Sequence, residues 1–337
     1  MKIVVDFRIQ KNFSPSIAAF FEQLWVAMAN FQPSAQYLLL TNEDVLQEEL
    51  PGNITVKICR QKGFAWFQQK KLLNTVNEYH ADKYITLQED GLSITTSANG
   101  FFIRKDLMKV SARVVFYKAP VHAPGNDHAH IKIVRPAFET VIDPISWAEA
   151  ESIKTQYSGG RDFFLFAGDI DAKHQLIELL KAFSVFKKWQ QSNMQLLIAG
   201  YPVSWTTWFE EKLSTYKYKQ DVVLLKNTGF DEIVKLAAVA YAVLCPGATN
   251  ELPLSLILAV QSHVAIIATD TASNRQFTNA ALWIDMNKTE EGFGNAMILL
   301  YKDENQKQLL IQQVKNEAKH FSRKQMLKET WQGIKQK

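Results

Sequence analysis

Cysteine and long apolar runs are scarce in this chain of 337 residues, and both absences restrict the class of protein. The two cysteines, Cys59 and Cys245, lie far apart in or beside apolar segments. This placement favours buried free thiols in a reducing compartment over a disulfide. No apolar run reaches the roughly 18 residues that span a bilayer, and Asp6 interrupts the first apolar stretch, which is too short for a signal peptide. We therefore expect a cytoplasmic protein.

Strong charge of one sign is also lacking. The formal net charge is +4, which gives no nucleic-acid signal, and the sequence contains no internal repeat and no low-complexity segment. Hydrophobic residues make up 47% of the chain and aromatic residues 12%, enough for two packed cores. The length and composition predict two globular domains.

Short apolar runs alternate with helical segments along the whole chain. Strands are predicted at residues 2–7, 37–41, 54–59, 84–87, 101–104, 114–117 and 131–134, and a second series at 163–167, 194–199, 222–225, 242–245, 264–269 and 281–285. Helices are predicted at about 14–29, 147–157, 174–190, 230–239 and 290–301, and from 304 onward. The alternation lapses between residues 137 and 162, where Ser158-Gly159-Gly160 forms a breaker. This order predicts a doubly wound α/β protein with a domain boundary at 158/159.

The stretch at residues 242–270 is the most informative. It contains a buried strand, a short loop, a helix that is apolar on every face, and a second buried strand. Such a unit belongs inside a parallel sheet, and the loop after its first strand is where an open α/β sheet places ligands. Thr249 or Asn250 is expected to cap the helix, with Pro253 in its first turn.

Five segments of the second half, in this order and spacing, resemble retaining glycosyltransferases of the GT-B type. The resemblance is to the bacterial group 1 enzymes that use nucleotide-sugar donors, and it covers about residues 131–321. The segments are Phe163-Phe-Leu-Phe-Ala-Gly-Asp169, Leu179-Leu-Lys-Ala-Phe183, Leu196-Leu-Ile-Ala-Gly200, Asp221-Val-Val-Leu-Leu225 and residues 245–270. The resemblance implies two Rossmann-like domains facing a cleft. Residues 1–158 would form the acceptor side, residues 159–321 the donor side, and residues 322–337 a helix packing back on the first domain.

The resemblance also implies a chemistry for the donor site. The family neutralises the leaving diphosphate with an Arg just after the first strand's Gly, here Gly168, and with a Lys five residues later. Those two positions hold Asp169 and His174, and Lys173 is one residue out of register. His174 is the residue at a family cation position that can still become positive, because a free imidazole titrates near about 6.5.

The family's paired carboxylates, which hold sugar and ribose hydroxyls, are also replaced. Their positions are occupied here by Asn250 and Leu258, and the two glycine positions after the first carboxylate hold Glu251 and Pro253. If Glu251 is moved into the first carboxylate position, its partner becomes Ala259. Both replacements predict weak use of a sugar donor at this loop.

The turn after the third strand of the second series keeps the family's pattern. It reads Thr228-Gly229-Phe230, and the resemblance implies that this turn contacts the base of the nucleotide. The donor-binding candidates are therefore Gly168, Asp169, Lys173, His174, Thr228, Gly229, Phe230, Thr249, Asn250 and Glu251.

Two functions from different classes fit these residues. One is a glycosyltransferase that transfers a sugar from a nucleotide sugar to a glycan or lipid-linked acceptor in cell-surface glycan or polysaccharide assembly, with low catalytic power. The alternative is an inactive homologue, a pseudoenzyme that acts as partner or regulator of a glycan-assembly enzyme. Neither function requires a cofactor or a metal, and the residues identify no catalytic group.

Three other features have competing interpretations. His122, His128 and His130 gather near Asp127, and a polar surface loop is favoured over a metal site because the spacing fixes no ligand geometry. Residues 315–337 contain seven Lys or Arg against two Glu, which fits a helix on an anionic inner membrane face or a solvated helix surface. The aromatic residues Trp205, Trp208 and Phe209 fit a sugar-stacking platform or packing between helix and sheet.

Overall fold

The chain folds into two compact units. The computed structural model describes residues 1–8, 13–42, 50–59, 72, 74–88, 91–96, 112–116, 130–138, 145–247 and 252–336. One unit comprises Met1–Arg135 with Lys324–Lys337, and the other Pro136–Arg323. The division lies upstream of the break expected at 158/159, since the helix at Trp147–Ser158 belongs to the second unit. The Tyr157 hydroxyl of that helix donates to Glu232 Oε1 at 2.9 Å.

The first unit contains a mixed sheet. Its described elements are β1 (Lys2–Asp6), α1 (Pro15–Phe31), β2 (Gln36–Thr41), β3 (Ile54–Ile58), β4 (Lys83–Gln88), β5 (Gly91–Thr96), β6 (Ala112–Val115) and β7 (His130–Ile133). The strand order is β3-β2-β1-β4-β5-β6-β7. Strand β5 is antiparallel to both neighbours, and every other pairing is parallel.

Strand β5 is absent from the strands predicted from the sequence. Ser93 and Thr95 are buried in it together with Leu92 and Ile94, so polar side chains occupy core positions and no apolar run is visible. The predicted strand at 101–104 and the segment at 122–129 lie outside the described residues, and of His130 only the backbone is described.

The second unit contains a parallel sheet covered by helices. Its elements are α2 (Trp147–Ser158), β8 (Phe163–Ile170), α3 (Leu176–Gln190), β9 (Gln195–Pro202), α4 (Thr206–Ser214), β10 (Val222–Lys226), α5 (Phe230–Val239), β11 (Ala242–Cys245), α6 (Leu254–Gln261), β12 (Ile266–Thr269), α7 (Ala272–Arg275), β13 (Leu282–Ile284), α8 (Thr289–Lys302) and α9 (Glu304–Ala318). The strand order is β10-β9-β8-β11-β12-β13. This is the Rossmann order. The strands from β8 to β10 are added on one side of β8, and the strands from β11 onward are added on its other side, so the strand order reverses between β8 and β11.

Burial explains the centre of this sheet. All eight residues of β8 are buried, as expected for a strand with helices on both faces. Helix α6 is buried along its whole length, which accounts for its uniformly apolar sequence apart from Ser255 and Gln261. The Gln261 side chain binds the backbone of Phe138 twice, so its polar groups are satisfied inside the unit.

Two strand boundaries differ from the sequence-based ones for identifiable reasons. Strand β8 continues past Ala167 to Ile170 because β9 pairs with it as far as Pro202. Strand β12 begins at Ile266 and not at Val264, since the Val264 amide closes the end of α6 by donating to Ala259 O at 3.1 Å. Pro253 is the residue before α6, and it contributes no side-chain cap.

The final helix, α10 (Arg323–Lys335), completes the first unit. It buries Met326, Leu327, Trp331 and Ile334. A Cβ on Gly333 would overlap Val114 of β6, so the helix lies directly on the sheet. Among the described residues, none of the helices combines the length and hydrophobicity needed to cross a bilayer.

Candidate functional site

The loops after β8 and β11 form the candidate site of the second unit. Strands β8 and β11 flank the switch point, where the order of the strands in the sheet reverses. Open α/β sheets bind their ligands at the carboxyl ends of the strands at this point. Of the predicted donor residues that the structure describes, Lys173 and His174 follow β8, and β8 itself contains Gly168 and Asp169.

Ser255 separates the two strands toward this edge. The β8–β11 ladder is formed by Phe164 with Ala242 and Leu165 with Val243. Beyond it, the Ser255 hydroxyl accepts from the Ala167 amide at 3.1 Å and donates to the Ala167 carbonyl. The serine of α6 therefore takes the hydrogen-bonding place that a neighbouring strand would occupy. This satisfies both buried backbone groups of Ala167.

Gly247 brings the two loops into contact. Its φ is +82°, and a Cβ at this position would overlap the carbonyl oxygen of Lys173 and lie 2.9 Å from His174 Cα. Only a residue without a side chain allows this approach of two backbones. The structure thereby places Lys173 and His174, predicted from the first loop, against the Pro246-Gly247 end of the second.

A short turn fixes the Lys173 side of the contact. Asp171 begins a 3₁₀ turn at Ala172–His174, and its Oδ1 accepts from the Lys173 amide at 3.0 Å. Lys173 Nζ lies 3.7 Å from Asp171 Oδ2, an ion pair in which both side chains are about one third exposed. The His174 ring packs edge-on against Phe166 at 5.3 Å. Sequence reasoning missed Asp171, although an Asp two residues before a Lys matches the pattern of an Asx turn.

The helix after this turn is held from a distant part of the unit. Gln175 adopts φ +48° just before α3, and its side chain accepts no capping hydrogen bond from the first turn of that helix. Its Oε1 instead accepts from Thr289 Oγ1 at 2.7 Å, which connects the start of α3 to the start of α8. No short-range pattern could indicate this pairing, because 114 residues separate the partners.

Asp169 does not lie in a solvent-exposed loop. It is a residue of β8, paired in register with Tyr201, and is only 1% exposed. The neighbouring strand packs closely here, since a Cβ on Gly200 of β9 would overlap the Gly168 carbonyl oxygen, which requires glycine at position 200. The acid at position 169 is thus buried in the sheet.

The Thr228-Gly229-Phe230 turn stands apart from this contact. It follows β10, which is two strands from β8 and so about 10 Å away. Thr228 Oγ1 donates to Leu225 O at 2.9 Å, and the Gly229 amide donates to Glu232 Oε2 at 3.0 Å. The Phe230 ring packs against Phe138 at 4.8 Å. These contacts begin α5 and fix the turn.

The other predicted positions divide into two groups. Thr249, Asn250 and Glu251 lie outside the described residues. Leu258 and Ala259, at the alternative positions of the second carboxylate, are fully buried inside α6.

Both cysteines are free and buried, as predicted. Burial raises the pKa of Cys245, which sits at the end of β11, so this thiol stays protonated.

The aromatic residues of α4 form one cluster at the same edge of the sheet. Trp205 lies 5.3 Å from Trp208 and 5.4 Å from Phe209. Phe209 is fully buried, whereas Trp208 is 43% exposed. Packing explains Phe209, and the exposed face of Trp208 leaves the stacking interpretation open. Thr206 Oγ1 donates to Ile170 O at 3.0 Å, which fixes α4 to the end of β8.

These features define an α/β protein of two Rossmann-like units with a ligand edge at the switch point of the second, which is the architecture of GT-B type glycosyltransferases. Residues 148–317 match the family model described as "Glycosyl transferases group 1". The protein belongs to this family. A sequence comparison with curated proteins gives no match.

Solved structures agree over nearly the whole chain. HepE of Anabaena, in complex with UDP and glucose, aligns with a TM-score of 0.74 at 11% identity, over 98% of each chain. A glycosyltransferase of Rickettsia africae aligns at 0.72 and 14% identity, over 99% of this chain and 97% of that one. WaaG, a glycosyltransferase involved in lipopolysaccharide biosynthesis, aligns at 0.70 and 11%, over 98% of each chain. At these identities the likeness establishes the GT-B fold.

Proposed function

We propose that the protein transfers a sugar, with retention of anomeric configuration, from a nucleotide sugar to a glycan or lipid-linked acceptor. The second unit would hold the donor. Family membership supports the reaction class, and HepE, a protein of the same fold, is known in complex with UDP-glucose. The observation that carries the proposal is the contact of Gly247 with the Lys173–His174 backbone at the switch point of the sheet.

The chemistry of this edge suits a leaving diphosphate. Helices α3 and α6 both begin at the carboxyl edge of the sheet, so the positive ends of their dipoles point toward it. Lys173 supplies a cation there. Its ion pair with Asp171 is partly exposed, so water screens the attraction between the two charges and the lysine can still bind an anion. We assign Lys173 to the diphosphate and the turn after β10 to the base.

The same residues limit the rate. Loss of one transition-state donor typically slows an enzyme by about a hundred- to a thousandfold. Here Asp169 and His174 replace an Arg and a Lys of the family pattern, so we expect turnover far below the usual range of about 1 to 1,000 per second.

A second function is favoured by one observation. Asp169 and Leu258 are buried where the family pattern has a cation and a carboxylate, so neither position displays a group that could act on a donor. This arrangement fits an inactive homologue that acts as partner or regulator of a glycan-assembly enzyme.

A thermal-shift screen with a panel of nucleotide sugars, followed by a transfer assay with the best binder, separates the two functions. The proposed transferase raises its melting temperature with one donor and releases nucleotide slowly in the presence of acceptor. Stabilisation without any release favours the inactive homologue. No stabilisation by any member of the panel contradicts donor binding altogether.

For location, we propose a cytoplasmic protein whose contact with an anionic inner membrane face is made by charge alone. The apolar face of α10 is buried in the first unit, while Lys324, Lys328 and Lys335 are exposed along its outer side. Each lysine near such a surface contributes about 1 kcal/mol. Flotation with anionic vesicles should therefore fail at high salt and after replacement of these three lysines by Gln. Binding to neutral vesicles contradicts the proposal.

A further inference from the structure

The segment by which the chain enters the second unit is buried in that unit. Arg135, where the long segment of the first unit ends, is exposed, and residues 136–138 are buried. These three residues belong to neither a helix nor a strand, so their buried backbone groups need hydrogen-bond partners from another part of the unit. Phe138 is the most informative of them, because both its backbone and its ring have identified contacts.

Gln261, the last residue of α6, binds the backbone of Phe138 on both sides. Its Oε1 accepts from the Phe138 amide at 2.8 Å, and its Nε2 donates to the Phe138 carbonyl at 3.1 Å. The Gln261 side chain is buried, so water competes little for these hydrogen bonds. Two hydrogen bonds to one amide group fix the position of the Phe138 backbone and therefore the direction of its ring.

The ring of Phe138 supports the turn that follows β10. It packs against the ring of Phe230, with the centroids 4.8 Å apart and the planes inclined by 46°. This distance lies within the range of favourable aromatic pairs. Phe138 is 3% exposed, whereas Phe230 is partly exposed. Phe138 is thus the buried support of a ring that solvent reaches.

This support differs in kind from the other contacts of the turn. The hydrogen bonds of Thr228 with Leu225 and of Gly229 with Glu232 lie within residues 225–232. Such local bonds set the shape of the turn. The contact between Phe138 and Phe230 attaches the turn to a segment that is far away in the sequence, and it therefore sets where the turn lies on the unit.

We propose that Phe138 is a positioning residue for the nucleotide, which it affects by holding Phe230 and with it the turn that contacts the base. The proposal rests on the proposed function, which assigns this turn to the base, and it adds the residue on which the placement of the turn depends. Phe138 acts through Phe230 and does not touch the nucleotide.

The test is calorimetry on the full chain with UDP, ADP, GDP and pyrophosphate. Phe138→Leu removes the ring contact and keeps an apolar side chain. We expect it to weaken binding of the best-bound nucleotide about three- to tenfold, the size of one aromatic pair. Pyrophosphate has no base, so its affinity should stay the same. Unchanged nucleotide affinity overturns the proposal, and so does equal weakening of nucleotide and pyrophosphate.

Phe186→Leu is the matched control. Phe186 is fully buried in α3, and its ring contacts those of Phe164 at 5.1 Å and Tyr301 at 5.5 Å. The substitution is the same and also removes aromatic contacts, but these are distant in sequence from the turn. We expect unchanged nucleotide affinity in this variant. Weakening equal to that of Phe138→Leu assigns the effect to a general loss of packing and overturns the proposal.

A double variant tests whether Phe138 acts through Phe230. Phe230→Leu removes the same ring pair from the other side. In that background, Phe138→Leu should weaken nucleotide binding no further, because the contact through which it acts is already absent. Effects of the two substitutions that multiply in the double variant contradict a positioning role.

Hydrogen exchange tests the placement of the turn without any ligand. Exchange in residues 225–232 should be faster in Phe138→Leu than in the parent chain, since loss of the aromatic pair lets the turn open more often. Phe186→Leu should leave it unchanged. The same exchange in Phe138→Leu and the parent overturns the proposal, whether or not a nucleotide binds.

The failure of this proposal is distinguishable from that of the transferase function. Nucleotide binding that depends on Phe138, without transfer from any nucleotide sugar, supports the positioning role and contradicts the transferase. Transfer with a donor KM that is unchanged in Phe138→Leu contradicts the positioning role and leaves the transferase standing. A raised donor KM at unchanged kcat supports both, because the base is held equally in the ground state and the transition state. A parent chain that binds none of the nucleotides contradicts both.

Discussion

At the scale of single residues, Gly247 is the position on which the candidate donor site depends most directly. We predict that Gly247→Ala destabilises the protein by about 1–3 kcal/mol more than Gly159→Ala and abolishes nucleotide-sugar binding. Both glycines have positive φ, so both variants carry the cost of left-handed backbone, about 1 kcal/mol. Only the Cβ at 247 meets a backbone, since nothing lies within 4 Å of the one at 159.

Chemical denaturation and calorimetry measure these two effects. Equal destabilisation of the two variants, or retained donor binding in Gly247→Ala, shows that the loops can separate and that their contact is not required for the site.

Ser255 carries a second prediction at this scale. Ser255→Ala leaves the amide and carbonyl of Ala167 without partners in a buried strand, so we expect a loss of about 3 kcal/mol in the free energy of unfolding. The matched control is Ser214→Ala, whose hydroxyl donates to Glu211 O at 2.7 Å on an exposed helix end. That variant should change stability by less than about 0.5 kcal/mol. Similar values for both argue that water replaces the serine at the strand edge.

At the scale of elements, the end of α6 combines backbone strain with a titratable group. His263 follows the helix with φ +57°, and burial together with the charge of Lys315 lowers its pKa. The folded protein therefore takes up the His263 proton at lower pH than the unfolded chain, whose imidazole titrates near about 6.5. Stability should fall as pH decreases below about 6.5, because the unfolded state binds the proton first.

We predict that His263→Gly stabilises the protein by about 1 kcal/mol at neutral pH, by removing the left-handed strain, and reduces the loss of stability at acid pH. Gln191→Gly is the control, since Gln191 ends α3 with φ +50° and does not titrate. It should give a similar gain with the pH dependence of the parent chain. Urea titrations at pH 7.5 and 5.5 compare the three proteins. An unchanged pH dependence in His263→Gly assigns that dependence to other groups.

At the scale of the whole molecule, the chain crosses from the second unit back to the first at its end. Gly333 lies within α10, where Gly→Ala normally stabilises by about 1 kcal/mol. Because a Cβ here would overlap Val114, we predict that Gly333→Ala destabilises instead. Hydrogen exchange should then increase in Met1–Arg135 and not in Pro136–Arg323. A stabilised Gly333→Ala variant means that α10 shifts easily on the sheet.

Local patterns predicted much of the second unit. Helix α5 has the predicted bounds, and β11 was also predicted residue for residue, because each is an uninterrupted apolar or amphipathic run between turn residues. Strand β5 and helix α4 were not predicted, since buried polar residues conceal the first and Trp205-Thr206-Thr207-Trp208 has no helical cap pattern. The family assignment was confirmed, because the order and spacing of segments survive where individual site residues do not.

The sequence by itself determined the α/β class, the two-unit organisation and the family, because periodicity and segment order are local properties of a chain. Only the tertiary structure decided which polar groups meet. Asp169 is buried in a strand, Ser255 reaches Ala167, Gln175 binds Thr289, and Arg8 lies beside Asn42. Strand register and helix packing bring together residues that are tens of positions apart in the sequence. Local sequence patterns contain no information about which of these distant residues come into contact.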